Sequence, residues 1–349
     1  MMSNISSFQF LARVAQFAAA LNLLSPLVQA VKITDIFTVK TSAGGGSCND
    51  YMPQVEAWFK DSLAIASVPI AVASNAVKDG FDNSIQVDME YLATYFRIPP
   101  PDDEPANLKR AKAFMQGEMT LDKGKPWLYC GGGWAEEVEW TAEVRADREI
   151  QENSQENYNH GTKLWEIFLG YYTVYYWTRL HGQAINLEER PPFFPWWVED
   201  MKQYIFLPAD TDGNPCESGA NLASTMFQTA PWSVTLCFGN DGLGRPQLLS
   251  DPKIDPITEE NQLVSVRRSV SITLYHEIIH LITGSSVDFA YDFAQIVGQE
   301  PSFTTGEEIT WDQNILNPES YTLFALATYL GEQHADYVFW SGQSKSKSA

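Results

Sequence analysis

The sequence predicts a mainly helical α+β fold in which a small sheet lies against a helical body. Three observations carry this. Apolar residues recur at helical spacing through 50–76, with Val55, Trp58, Phe59, Leu63 and Ile65 marking the face. A second run, 265–283, contains neither Gly nor Pro and ends at Gly284, the kind of residue that stops a helix. The short runs 204–207 and 234–238 are rich in β-branched and aromatic residues and read as strands.

The first thirty residues carry one basic residue, Arg13, then an apolar run over 14–27, then Val28-Gln29-Ala30. That order predicts a signal peptide over 1–30 and a secreted, extracellular chain. A single domain is expected over 31–340. Within it, 87–96 reads as a further helix, and Ile98-Pro99-Pro100-Pro101-Asp102-Asp103 as a break. The 136–159 stretch is highly charged and reads as an exposed helix or loop. Aromatic residues at helical spacing through 164–180, continued by Phe193-Phe194-Pro195-Trp196-Trp197, read as core. A carbohydrate-binding or substrate-lining role for Trp196 and Trp197 is the lesser alternative. No segment after the signal reaches the roughly 18–20 apolar residues of a membrane span; Glu166 and Arg179 interrupt the nearest one. The polar, low-complexity end, 341–349, is expected to be a disordered tail.

Charge and cysteine usage bound the function. A formal net charge of −21 argues against nucleic acid, whose binding rests on Lys and Arg neutralising phosphates, and against an anionic membrane surface. Four cysteines, Cys48, Cys130, Cys216 and Cys237, suit disulfides in an oxidising compartment, and four allow three pairings. No C-x-x-C spacing supports a cysteine metal site.

The chemistry concentrates in His276-Glu277-Ile278-Ile279-His280. On a helix, residues four apart share a face with Cβ atoms about 5–6 Å apart, so two imidazoles can reach one zinc ion at about 2.0–2.1 Å. Glu277 then stands beside the open coordination position as a general base. The competing reading, a core helix that happens to carry two His, would bury both rings and a carboxylate unpaired, at a high free-energy cost.

A third ligand decides the class. No His lies between His280 and His334, and Gly284 is one place late for H-E-x-x-H-x-x-G-x-x-H. Glu300, Glu307 and Glu308 are distant candidates. Asp288 is the better one, because a turn at Gly284 would fold it back towards the two His. If a helix begins there, Tyr291 shares its face and can donate to a developing oxyanion. The alternative for Asp288 is an N-cap.

With these residues in view, the chain resembles the aspzincins, the deuterolysins and peptidyl-Lys metalloendopeptidases. They carry H-E-x-x-H followed by G-T-x-D-x-x-Y-G. The match covers His276, Glu277, His280, Asp288 and Tyr291; Ser285, Ser286 and Asp292 stand where the family has Gly, Thr and Gly. Asn317-Pro318-Glu319 through Phe324-Ala325 resembles the family's N-A-D-x-x-x-x-[YF]-A segment, and Ser233 to Phe238 its strand with a Cys before the zinc helix. The resemblance is firm over 216–330 and weaker over 48–96, which makes 98–208 an insertion.

The resemblance implies a zincin-like catalytic domain with one Zn2+ per chain on His276, His280 and Asp288. Glu277 would be the base, Tyr291 the transition-state donor, and Glu319 an acid that meets a basic substrate side chain. For Glu319 a helix-start role competes. The family pairing favours Cys216–Cys237 and leaves Cys48–Cys130. The expected function is a secreted, monomeric zinc endopeptidase acting on polypeptides, with a basic preference. The rival is a secreted zinc-binding effector or binding protein with the same fold and little turnover.

Overall fold

In this computed structural model the described residues are 31–78, 83–97, 106–138, 193–208, 214–216, 221–238, 263, 270–285 and 287–346. The expected signal peptide and the 139–192 part of the expected insertion, including 164–180, lie outside them. The chain from Ile33 onward belongs to one unit. It is an α+β arrangement with small sheets. Among the described residues no helix is long and apolar enough to cross a membrane.

A short helix α1 (Ile33–Ile36) leads into strand β1 (Thr38–Val39). After one 3-10 turn, Asn49–Tyr51, come α2 (Met52–Ala76) and α3 (Asn83–Phe96). Pro53 sits in the first turn of α2, where its missing N–H costs nothing. The expected face is buried: Val55, Trp58, Phe59 and Ile65 are sealed from solvent. Helix α4 (Ala106–Met115) and strand β2 (Trp127–Cys130) follow, then β3 (Ala135–Glu137). Strands β4 (Phe193–Val198), β5 (Gln203–Pro208), β6 (Ala223–Met226) and β7 (Ser233–Leu236) come next. The site-bearing helix α5 is Val270–Thr283. Short α6 (Phe293–Ile296) and α7 (Trp311–Asn314) precede α8 (Pro318–Gln333). A final pair, β8 (Tyr337–Val338) and β9 (Lys345–Ser346), closes the described chain.

The main sheet has the order β1-β2-β7-β6. β1, β2 and β7 run parallel, and β6 is antiparallel to β7, with Thr225 opposite Val234. Among the described residues β6 is therefore an edge. A second antiparallel sheet, β3-β4-β5, packs on the first: Tyr129 and Trp134 meet Val198, Ile205 and Leu207, with Met226 against them. Lys40 and Asp200 form an ion pair linking the two sheets. Helix α5 is apolar nearly all round and packs against α2, α4, α8 and β6, as a helix inside a protein should.

The 98–208 stretch expected to be an insertion contains α4, packed on α2 and α5, and the inner strand β2. Two expectations change. Phe193 to Trp197 is a strand, and Trp197 is a fully buried core residue, so the alternative of a ligand-binding Trp197 falls. The tail from Ser341 is docked through Ser346, because Ser344 is buried and Lys345–Ser346 pair with Tyr337–Val338. Backbone hydrogen bonding outweighs its polar composition there.

Candidate metal centre

Helix α5 sets His276 and His280 one turn apart, with ring centroids 4.9 Å from each other. Both Nε2 atoms face the same oxygen, Asp288 Oδ1, at 3.1 Å from His276 and 3.2 Å from His280. Around a tetrahedral ion with bonds of about 2.0–2.1 Å, neighbouring ligand atoms lie about 3.3 Å apart. Both nitrogen–oxygen distances are close to that spacing, and the three ligand atoms all lie within 4.8 Å of one another. They form the one group of His, Cys, Asp or Glu side chains among the described residues suited to hold a metal ion. Of the other third-ligand candidates, Glu308 pairs with Arg97, and Glu300 and Glu307 are exposed and outside the group.

The outer atoms of both rings fix what the inner atoms offer. His280 Nδ1 lies 2.6 Å from the Ser285 carbonyl, which can only accept, so Nδ1 carries the proton. His276 Nδ1 lies 2.9 Å from Glu319 Oε2, a carboxylate with the same requirement. Each neutral ring then presents a bare Nε2. Asp288 Oδ1 is buried and makes no aligned hydrogen bond among the described residues, despite those two close nitrogens. Two lone pairs and a carboxylate oxygen converging in a buried place repel one another unless a cation sits among them, so these residues fit a divalent metal. With no metal bound, a proton takes part of that role. Burial lowers the His276 pKa, but the carboxylates of Asp288 and Glu319 outweigh it and raise the ring to about 10. Burial pushes Asp288 up, and the two imidazoles overcome that and hold it far below the usual carboxylate range.

The loop that carries Asp288 is built by its neighbours. Gly284 ends α5 at φ +67°, a left-handed turn that suits Gly, and its N–H closes on the His280 carbonyl at 2.9 Å. Asn317, buried just before α8, accepts from Phe289 N at 3.1 Å and donates to the Ala290 carbonyl at 3.1 Å. Thr304 Oγ1 donates to the Asp288 carbonyl at 2.6 Å, and Ser302 Oγ to that of Phe289 at 2.5 Å. No helix begins at Asp288, which is neither helical nor an N-cap; α6 starts only at Phe293 with Asp292 before it.

Glu277 is buried beside the centre, and Thr225 Oγ1 on β6 donates to its Oε2 at 2.6 Å. Tyr291 is 40% exposed, and its hydroxyl donates to Asp288 Oδ2 at 2.6 Å. Burial first, and the Asp288 charge next, push that phenol well above its ordinary pKa, so it stays a donor. Glu319 is 2% exposed and turned inward onto His276. The resemblance makes it a substrate acid; its neighbour in the structure is a ring of the centre. A cavity of about 270 Å³ lies at the centre, its lining including Leu222, Ala223, His276, Glu277, Tyr291 and Glu319.

Both disulfides follow the expected pairing, Cys48–Cys130 and Cys216–Cys237. The second ties the chain before β6 to the end of β7, holding the hairpin that lines the cavity. Sequence reasoning named His276, Glu277, His280, Asp288, Tyr291 and Glu319, and the structure brings all six together. It did not single out Thr225, Ser302 or Thr304, which carry no motif, and met Asn317 only within the Asn-Pro-Glu segment. In comparisons with known proteins, no family model, no curated protein and no solved structure matches this chain.

Proposed function

We propose that the chain is a secreted zinc endopeptidase of the aspzincin type. The observation that carries the reading is the convergence of His276 Nε2, His280 Nε2 and Asp288 Oδ1 with Glu277 beside them at the foot of an open cavity. His276, His280 and Asp288 would hold the ion. Zn2+ there supplies Lewis acidity, which brings the pKa of water towards ~7 and draws charge from a carbonyl oxygen.

The chain's own residues do the rest. Glu277, steadied by Thr225 at one oxygen, accepts the proton of the attacking water at its carboxylate. As the C–N bond breaks, it returns that proton to the leaving amine. Tyr291 Oη donates its one proton to Asp288 Oδ2 in this structure, and it would turn from that partner to donate to the oxyanion. β6 favours a polypeptide over other carbonyl substrates. It is an edge strand among the described residues, Ala223 at its start lines the cavity, and an extended peptide can pair with such an edge by main-chain hydrogen bonds. Secretion rests on the 1–30 pattern and agrees with two disulfides.

The test is proteolysis of unfolded casein by the purified protein. Activity should be abolished by a chelator, restored by zinc, and absent in Glu277→Ala. One observation favours the rival, a metal-binding protein with little turnover: the Tyr291 hydroxyl is committed to Asp288. Casein left intact by zinc-loaded protein would select that rival.

A further inference from the structure

Beyond the centre, one feature of the cavity rim points outward. Three rings form a column: Tyr291 lies over His276 at 6.1 Å and 21°, and Phe303 over Tyr291 at 5.1 Å and 8°. Phe303, the outermost, is 55% exposed. A lone exposed Phe on a loose loop would mean little. This one is held in place. Ser302 and Thr304, on either side of it, both donate to the backbone of the ligand loop, at Phe289 and Asp288. Ser302 also accepts from Thr304 N at 3.1 Å and Thr305 N at 3.3 Å, closing the turn that presents the ring. The turn is thus pinned to the same short loop that carries Asp288, and its apolar ring faces solvent beside the chemistry.

We propose that the Tyr291–Phe303 pair is the specificity wall of the cleft, selecting an aromatic or bulky aliphatic side chain of the polypeptide next to the scissile bond. This rests on the peptidase reading. The occupant follows from the layout. A peptide aligned on β6 would pass the cavity that Ala223 of that strand lines together with His276, Glu277 and Tyr291. Side chains of an extended peptide alternate between the two faces of the sheet it extends, so every second one is turned to the face on which the cavity and Tyr291 lie. Tyr291 is stacked between His276 and Phe303, so the column offers the outer face of Phe303 and the ring edges, which favour stacking or edge contact with a substrate ring or packing with Leu or Met. A cationic side chain gains less. The two acids that line the cavity, Glu277 and Glu319, are both buried, with one oxygen of each held by Thr225 and by His276, whereas Phe303 at the rim is exposed.

Two arms test the proposal. The first digests a proteome-derived peptide library with zinc-loaded wild type and with Phe303→Ala and Phe303→Tyr, with metal content measured in each. Expected is enrichment of Phe, Tyr, Leu and Met beside the cut. Phe303→Ala should flatten it and lower kcat/KM about tenfold on an aromatic peptide relative to its Gly analogue, and Phe303→Tyr should restore it. Enrichment of Lys or Arg, or an unchanged profile in Phe303→Ala, overturns the wall. The second arm needs no turnover. Zinc-loaded Glu277→Gln is titrated calorimetrically with peptides identical except for Phe, Lys or Gly at one position. The Phe peptide should bind about tenfold tighter than the Gly peptide, and Phe303→Ala in that background should remove the difference. Equal binding overturns the wall. Selective binding with no cleavage by wild type keeps the wall and removes the peptidase reading.

Discussion

Glu319 Oε2 lies 2.9 Å from His276 Nδ1, so an acid forty-three residues away along the chain orients the first imidazole of the centre. A carboxylate behind a ligating imidazole fixes the tautomer and makes the ring a stronger donor, and losing such a partner commonly costs 10–100-fold in metal affinity. Glu319→Ala should therefore weaken zinc binding by about that factor in a chelator competition, with Glu319→Gln less affected. Unchanged affinity with altered cleavage preference would return Glu319 to a substrate-binding role.

Proton and metal compete for His276. Its pKa in the metal-free protein is raised to about 10, so at neutral pH zinc must displace a proton. Apparent zinc affinity should rise about tenfold per pH unit between pH 7 and 9. The same shifts govern metal-free stability. The raised His276 contributes fully below its ordinary value of ~6.5 and loses its contribution as pH rises through about 10. The depressed Asp288 contributes above ~4 and loses its contribution as pH falls below that. Thermal unfolding of the chelated protein should thus peak between about pH 4 and 6.5. A Tm independent of pH across that range and beyond it would contradict the assignment.

Thr225 should act on turnover and not on the metal. Its hydroxyl holds one oxygen of Glu277 and leaves the other for the attacking water. Thr225→Val removes a hydrogen bond to a charged group, the kind worth roughly 1.5–3 kcal/mol. It should lower kcat by about tenfold or more with KM nearly constant, since each 1.4 kcal/mol is a factor of ten. Thr225→Ser should recover most of the loss. A parallel fall in zinc content would mean that Thr225 supports the fold only.

The two disulfides should separate stability from activity. Cys48–Cys130 spans 82 residues and Cys216–Cys237 spans 21. Loop-closure entropy then gives about 4.5 and about 3.3 kcal/mol respectively. Replacing the first pair by Ala should lower Tm more. Replacing the second should cost more activity per degree of Tm lost, because it frees the β6–β7 hairpin beside the cavity.

Much of the centre was legible because its parts are local. His276, Glu277 and His280 lie within two turns of one helix, and Gly284 marks where the chain turns back to Asp288. Helices α2 and α3 announced themselves by apolar spacing over many turns. Strands of two to four residues give no such period, so β1, β2 and the docking of β9 were invisible, and β2 was hidden in a stretch read as an insertion. Thr225, Ser302 and Thr304 act through single hydrogen bonds made when distant segments meet, and a lone hydroxyl residue carries no pattern. Glu319 was found, but which way its carboxylate turns depends on how α8 packs against α5.

The most direct test compares zinc content and casein hydrolysis in three proteins prepared alike: wild type, Asp288→Ala and Glu277→Gln. About one zinc per chain is expected in wild type and in Glu277→Gln, and most of it lost in Asp288→Ala, since two His alone leave the ion under-coordinated. Hydrolysis should be confined to wild type, with Glu277→Gln down by on the order of a thousandfold or more. Full zinc occupancy in Asp288→Ala, or equal hydrolysis by Glu277→Gln, would contradict the proposed function.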